Sequence, residues 1–438
     1  MKRPTELPRR LGLLDSLAIV VGIVIGGGIF LVPNLVARNL SSAPAILSVW
    51  IVAGVVSFFG ALACAELGAA FPSTGGQYVF LREAYGPMAG FLCGWSMFLV
   101  ARTAQVAWLA VTLSLYVSYF VPLGPTTSKA LGVAAIVVFA AVNYRGVSLG
   151  ALAQKAFTFA KVAGLLIIIG SALFFRGRPA AAVPDAAAPF SLGHFGVALI
   201  ACLLAYDGWV QVSYVAGEIR DPERNILRAL AGGMAGCMAI YMLANLAYLH
   251  VLSIPEIAAS DHVGATAAER VLGPAGGTLV AVIILLSIIG ALNGCFLTSP
   301  RVYFAQAQDG LFFKKFAEVH PRFQTPAFAI VAQAIWAVVL VLSGTYETLA
   351  EYAMFAVWIF YGLMVLGVVL LRIQRPDLAR PYRMWGYPAT PLLFLAVTAY
   401  FLGNTLLTRP GPSLAALALV ATGVPVYFVW KQRAPASS

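Results

Sequence analysis

Charge is scarce in this sequence. Asp, Glu, Lys and Arg make up 10% of it, where a soluble domain carries about a quarter, so a fully water-exposed globular surface is excluded. Histidine is nearly missing, with 4 in 438 residues. His250 and His262 have no metal-ligand spacing, so no metal is expected. The five cysteines, Cys64, Cys93, Cys202, Cys237 and Cys295, all fall within apolar stretches. They read as buried small hydrophobes rather than a disulfide framework. A Walker loop is absent, as is any Ser-His-Asp grouping able to meet in a dry cavity. Neither an enzyme, nor a bound cofactor, nor direct use of ATP is expected.

What the chain has instead is 61% hydrophobic residues, arranged in runs near the ~20 needed to cross a bilayer. The runs centre near residues 25, 56, 103, 137, 165, 204, 240, 290, 335, 360, 397 and 421. An all-α integral membrane protein with twelve transmembrane helices follows, as one polytopic domain over 1–438. With the N-terminus in the cytoplasm, Arg9, Arg10, Arg145, Arg220, Arg224, Arg228, Lys314, Lys315, Arg372 and Arg375 all lie inside. Only Arg38, Lys129, Arg176, Arg178, Arg270 and Arg409 fall outside. That bias predicts both termini in the cytoplasm. It also accounts for the net charge of +11 through anionic lipid, with no nucleic acid partner. The basic, apolar start is read as a retained first helix, because more spans follow it. The polar connections Arg176–Ser191 and Ser253–Gly273 read as outer loops, and the tail from Lys431 to Ser438 as disordered.

Two spans carry helix breakers at membrane depth. The first is Gly26-Gly27-Gly28, where each Gly costs about 1 kcal/mol against Ala in a helix interior. Unpaired backbone at that depth survives where it is buried in protein or lines a cavity. The second is Leu204-Ala205-Tyr206-Asp207-Gly208-Trp209, five spans later and in a helix of opposite direction. Matching breaks so spaced predict a 5+5 inverted repeat with broken helices 1 and 6, holding a small charged solute near the midplane. Helices 1–5 would occupy about 13–175, helices 6–10 about 191–372, and helices 11–12 about 388–431.

These residues resemble the amino acid–polyamine–organocation transporters, in particular the L-type amino acid transporter branch and its bacterial members. The likeness runs over Gly22 to Phe30 with Pro33, Ala65-Glu66-Leu67-Gly68, Pro72 to Gly76, and Arg82-Glu83-Ala84-Tyr85-Gly86-Pro87. It continues through Ala205 to Trp209, Glu218, Asp221-Pro222-Glu223-Arg224-Asn225, Gly290-Ala291-Leu292-Asn293, Arg301 and Asp309-Gly310. The resemblance implies a LeuT-like broken-helix fold and alternating access for amino acids. It implies a substrate carboxylate on the N–H groups of Gly26, Gly27 and Gly28, at a positive half-helix end. The ammonium would take the carbonyls of Val24, Leu204 and Asp207. Leu204 stands where many members carry a gating aromatic, and Trp358 matches an aromatic lining the far side of the pocket. Lys161 would sit between spans 1, 5 and 8, where sodium-coupled members of the wider fold hold sodium. Heteromeric animal members attach a heavy chain through a cysteine in the loop at Val121–Thr126; that loop has none here, so a lone, monomeric protein is expected.

Charges inside spans are costly and usually functional. Lys161 either ties span 5 to carbonyls near the first break, where proton coupling becomes possible, or snorkels inward. Asp207 either meets a cation or the substrate amine, or caps the half-helix beginning at Gly208. Glu66 is expected to pair with a basic residue near the inner face. Arg102 needs an acceptor, either Asp207 or a carbonyl. Arg301, Glu218 and Arg224 read as a network closing the inner side. The function expected is secondary, sodium-independent transport of neutral L-amino acids across the cell inner membrane, by exchange or proton coupling. A cationic amino acid or polyamine antiporter is the alternative.

Overall fold

The computed structural model describes residues 6–175, 191–344 and 346–433. The connection expected from Arg176 onward and the last residues of the tail lie outside that set. Lys431 does not begin a coil: the final helix runs on to Arg433.

Nineteen helices follow in chain order, and no strand occurs among the described residues. The first seven are α1 (Leu13–Val24), α2 (Gly28–Asn39), α3 (Ala43–Ala70), α4 (Gln77–Tyr85), α5 (Pro87–Ser96), α6 (Arg102–Val117) and α7 (Pro125–Tyr144). A π-helical turn, Met97–Ala101, joins α5 to α6. Then come α8 (Val147–Leu173), α9 (Leu192–Ala205), a 3-10 segment Trp209–Glu218, α10 (Pro222–Val251), α11 (Ile254–Ala259) and α12 (Val263–Leu272). The chain continues as α13 (Pro274–Thr298), α14 (Pro300–Gln308), α15 (Ala327–Ser343) and α16 (Tyr346–Gln374). It closes with α17 (Ala389–Thr408), α18 (Pro410–Ala421) and α19 (Gly423–Arg433).

Ten helical stretches are long and apolar enough to cross a membrane, or eleven with α1 and α2 taken as one span bent by 40°. The ninth expected span is α15, an apolar helix of 17 residues that falls short of that length. Prolines begin many of these helices, among them Pro87, Pro125, Pro222, Pro274 and Pro410, where a missing N–H costs nothing. Helix α1 is the centre of the bundle, packed among α8, α10 and α13. Small residues permit that approach: a Cβ on Gly233 of α10 would lie 2.7 Å from Val20 of α1.

The expected outer loop Ser253–Gly273 is largely helical. Its Ser253-Ile254-Pro255-Glu256 start is a capping box, with the Ser253 N–H donating to Glu256 at 2.8 Å, and this local signal nucleates α11. Helices α11 and α12 lie on α2, where the Asn34 amide donates to the Ala258 and Ser260 carbonyls at 3.1 and 2.6 Å.

Candidate functional site

Both breaks form where the glycines stand. Helix α1 makes its last bond from Ile25 N–H to Val21 O, 2.9 Å. The chain then turns, and α2 starts at Gly28. Gly27 and Gly28 present N–H groups with no partner among the described residues, as the first turn of a helix must. Gly26, Gly27 and Gly28 are all partly exposed. The Gly26 N–H, expected to face a carboxylate, instead folds back onto Val24 O at 2.8 Å. That tight turn is what reverses the backbone.

The second break lies directly against the first. A Cβ on Gly28 would sit 2.9 Å from the Ala205 Cβ, and one on Gly208 would sit 2.6 Å from Ile23. Helix α9 ends at Ala205, and Gly208 adopts φ +116°, a conformation side chains rarely tolerate. The continuation is 3-10 rather than α-helical, and Asp207 does not cap it. Its carboxylate has been claimed from outside, because Tyr361 donates to Oδ1 at 2.6 Å.

The carbonyls of the first break are mostly occupied. Lys161 is fully buried, and its Nζ donates to Gly22 O and Ile25 O at 2.5 and 2.8 Å. Ser287 of α13 adds a bond to Ile25 O at 2.7 Å and lies 3.5 Å from the ammonium. Further along the same face of α8, Thr158 donates to Ala18 O at 3.0 Å. Lys161 therefore ties α8 to α1 and does not snorkel. The Tyr241 hydroxyl is shared between Val24 O at 2.8 Å and Ala205 O at 3.0 Å, bridging the two breaks. Val24, expected to meet an ammonium, is thus already satisfied. Leu204 O takes the Asp207 N–H at 3.3 Å. The carbonyls of Gly26 and Asp207 have no partner among the described residues.

Leu204 itself is exposed at 38% and gates nothing by stacking. Trp358 stacks on Phe401 at 4.5 Å and Phe394 at 6.0 Å, both on α17, and meets the second break only through the edge of Tyr361 at 5.9 Å. The aromatic of α16 that reaches the site is Tyr361, three residues later, against Trp209 at 5.0 Å. Arg102 bonds neither Asp207 nor a backbone carbonyl. It donates to Gln105 Oε1 at 3.0 Å and the Tyr214 hydroxyl at 3.2 Å. Tyr241, Ser287 and Tyr361 escaped the sequence reading, since each adds only one hydroxyl to an apolar stretch of its helix.

The face carrying the basic loops is closed. Arg301 and Glu218 form a fully buried pair at 2.7 Å. The Glu218 carbonyl takes the N–H groups of Arg10 and Leu11, and Leu11 O takes that of Arg220 at 2.8 Å. Arg224, expected in this network, is exposed outside it. Glu66 is held by Arg372 at 2.6 Å, with Arg380 at 3.6 Å and the Met384 N–H at 2.8 Å. A cavity of about 620 Å³ opens at this face, walled by Glu6, Arg9, Thr74, Arg82, Gly217 and Asp309 among others. None of its walls belongs to either break, so the backbone chemistry and not this cavity marks the site. No cluster able to hold a metal occurs among the described residues. On α11, beyond the spans, a bond from Arg270 holds the Glu256 carboxyl at about 2, well below its usual 4.5.

The sequence also has relatives among known proteins. The amino acid permease family model matches residues 11–429. The chain is 34% identical to the serine/threonine exchanger SteT of Bacillus subtilis over 98% of both chains. It is 33% identical to the human b(0,+)-type amino acid transporter 1, over 98% of this chain and 89% of that one. It is also 33% identical to the human large neutral amino acids transporter small subunit 2, over 97% of this chain and 80% of that one. A multi-pass, all-α protein with two abutting broken helices and such relatives is a transporter and not an enzyme: the chain belongs to the amino acid permease family, in its L-type amino acid transporter-like branch.

Proposed function

We propose that this protein exchanges neutral L-amino acids across the cell inner membrane without sodium, with both termini in the cytoplasm. The observation that carries the reading is Lys161, whose ammonium fills the space between α1, α8 and α13 on two carbonyls and a hydroxyl. By the resemblance this is where sodium-coupled members of the wider fold hold sodium, and a built-in cation there supports the sodium-independent reading. Substrate carboxylate goes to the Gly27 and Gly28 N–H groups, at the positive end of α2. Its ammonium goes to the free carbonyls of Gly26 and Asp207, beside the Asp207 carboxylate. The five-plus-five repeat within a single domain, and action as a monomer without a heavy chain, belong to the same reading. Support for exchange comes from a relative named as an exchanger.

Asp207 favours a second reading. A partly exposed carboxylate at the break suits a cationic amino acid or polyamine antiporter. Uptake of labelled serine, leucine and arginine into sodium-free proteoliposomes separates these readings. Uptake that requires internal neutral amino acid is the expected result. Uptake into empty vesicles driven by an inward proton gradient would instead make Lys161 a proton carrier. Arginine uptake without serine or leucine uptake would establish the second reading.

A further inference from the structure

The half of the second broken span that points to the basic face is wound in an uncommon way. Trp209–Glu218 is ten residues of 3-10 helix, interrupted only at Val215 (φ −98°, ψ 15°). Such runs rarely exceed about four residues, because their hydrogen bonds are poorer than those of an α-helix, and a longer one marks strain or a hinge. The form is also a stretched one. Ten residues cover about 20 Å at the 3-10 rise and about 15 Å at the α-helical rise.

Both ends of the segment are fastened. At the break, a Cβ on Gly208 would lie 2.6 Å from Ile23. At the far end the Glu218 carbonyl takes the Arg10 and Leu11 N–H groups at 2.8 and 2.9 Å, so the chain just ahead of α1 pins it. The Glu218 carboxylate is held by Arg301. Between the ends, the Gly75 N–H donates to Tyr214 O at 3.0 Å and the Thr298 hydroxyl to Gln211 Oε1 at 2.9 Å. The chain at Thr74–Gly76 lies so close that a Cβ on Gly76 would strike Ser213, and one on Gly217 would strike Thr74. Yet the seam is not fully bonded. Gln211 Nε2, both amide atoms of Gln77, Ser299 Oγ and Arg301 Nη1 are buried without a partner among the described residues, although buried polar groups are paired in roughly 90% of cases. Past the pinned end lies the cavity of about 620 Å³, with Thr74 and Gly217 in its wall.

We propose that Trp209–Glu218 is the inner gate, shut because it is held stretched, and that it opens by shortening into an α-helix once Glu218 is released. The inference rests on the reading above, in which an amino acid sits between the breaks, and not on which amino acid it is. Shortening draws the Glu218 end about 5 Å toward the breaks, away from the pin and from Thr74. The cavity then connects with Asp207. Each N–H exchanges the third preceding carbonyl for the fourth, with better geometry. The accompanying rotation re-aims Gln211 along a seam whose unspent donors then have room to bond.

The test is exchange by the reconstituted full-length protein carrying L11C and I219C, which face each other across the pin. The substrate is whichever of labelled serine, leucine or arginine wild type takes. The two thiols are joined by oxidation or by a short bifunctional thiosulfonate, and the native cysteines, all buried, stay in place. The joined protein is expected to lose exchange, to keep its thermal stabilisation by substrate in detergent, and to recover exchange in reductant. Its reduced form is the control for folding. Single cysteines along the segment then read its winding, through their reactivity with a charged thiol reagent at the inner face during exchange. An α-helix is expected to expose positions spaced as Val210, Tyr214 and Gly217. Reactivity spaced as Val210, Ser213 and Ala216 would show that the 3-10 form persists, and overturns the inference. So does an unreactive segment, exchange that continues in the joined protein, or a joined protein that no longer binds substrate. Wild type that neither binds nor exchanges any amino acid would instead remove the reading on which the inference rests.

Discussion

The two breaks solve one problem with different materials. The first is made of three glycines and contributes almost only backbone: donors at Gly27 and Gly28, and carbonyls at Gly22, Val24 and Ile25 held by Lys161, Ser287 and Tyr241. The second is made with one positive-φ glycine and contributes a charged side chain, Asp207, held by Tyr361. Backbone donors suit the carboxylate that every amino acid shares. Side chains around Asp207 suit what differs between amino acids. A transporter needs both kinds of surface, and placing them in separate helices lets the second vary without disturbing the first.

The largest effect should come from the first break. K161A strands the buried Gly22 carbonyl and leaves the Ile25 carbonyl to Ser287 alone, a loss of about 2–3 kcal/mol for charge-assisted bonds in a dry site. Thermal unfolding in detergent should show it, together with loss of exchange. A variant as stable as wild type would mean the first break does not depend on α8 for its shape.

Next, the glycines should divide in a way their spacing alone does not suggest. A Cβ added to Gly28 or Gly208 would lie 2.9 or 2.6 Å from the opposing break, whereas one on Gly26 or Gly27 meets nothing nearer than 3.9 Å. G28A and G208A should each lose about 2 kcal/mol or more, from overpacking and, at 208, from left-handed strain as well. G26A and G27A should stay within about 0.5 kcal/mol of wild type. Equal losses at all four would show that the glycines serve conformation and not the contact between the breaks.

That division also marks the limit of what the sequence made legible. Gly26 to Gly28, Asp207-Gly208 and Lys161 stand out because each violates an apolar helical pattern, and each lies in the expected break or tie. Glu66 likewise found a basic partner. The spans were legible from their apolar runs, except that α15 is shorter than a full crossing. Which groups the breaks leave free was not legible. The Gly26 N–H turns inward through one local turn, and the Val24 carbonyl is taken by Tyr241 from α10, 217 positions away. Trp358 and Tyr361 differ by less than one helical turn, so choosing between them needs the rotation of α16 about its axis, which packing on α17 sets. The Arg102 partners are hidden for a similar reason, because the π-turn before it shifts the helical phase.

A smaller effect tests whether the breaks are coupled. The Tyr241 hydroxyl is a bridge between Val24 of the first and Ala205 of the second. Y241F removes that bridge and keeps the ring packed against Trp50 at 5.5 Å and Tyr206 at 4.8 Å. About 1–2 kcal/mol should be lost. Exchange should slow more than stability falls if the two half-helices move together. Unchanged exchange would mean each break keeps its geometry alone.

The smallest effect lies outside the membrane and asks whether the outer half of the first break is braced. Helices α11 and α12 rest on α2, and the Arg270–Glu256 pair at 2.6 Å ties α12 to the start of α11. Glu256 titrates at about 2 in the folded protein, against its usual 4.5. Its depressed value means the pair contributes above the unfolded value and loses its contribution as pH falls from about 4.5 toward 2. Because both partners are about one-third exposed, the amount is small, about 1 kcal/mol or less. E256Q should therefore speed hydrogen exchange in α11 and α2 modestly at pH 6, and the difference from wild type should shrink at pH 3. Faster exchange confined to α11 would mean that α2 is held by the Asn34 bonds alone. Faster exchange reaching Gly28 would make the outer segment part of the first break.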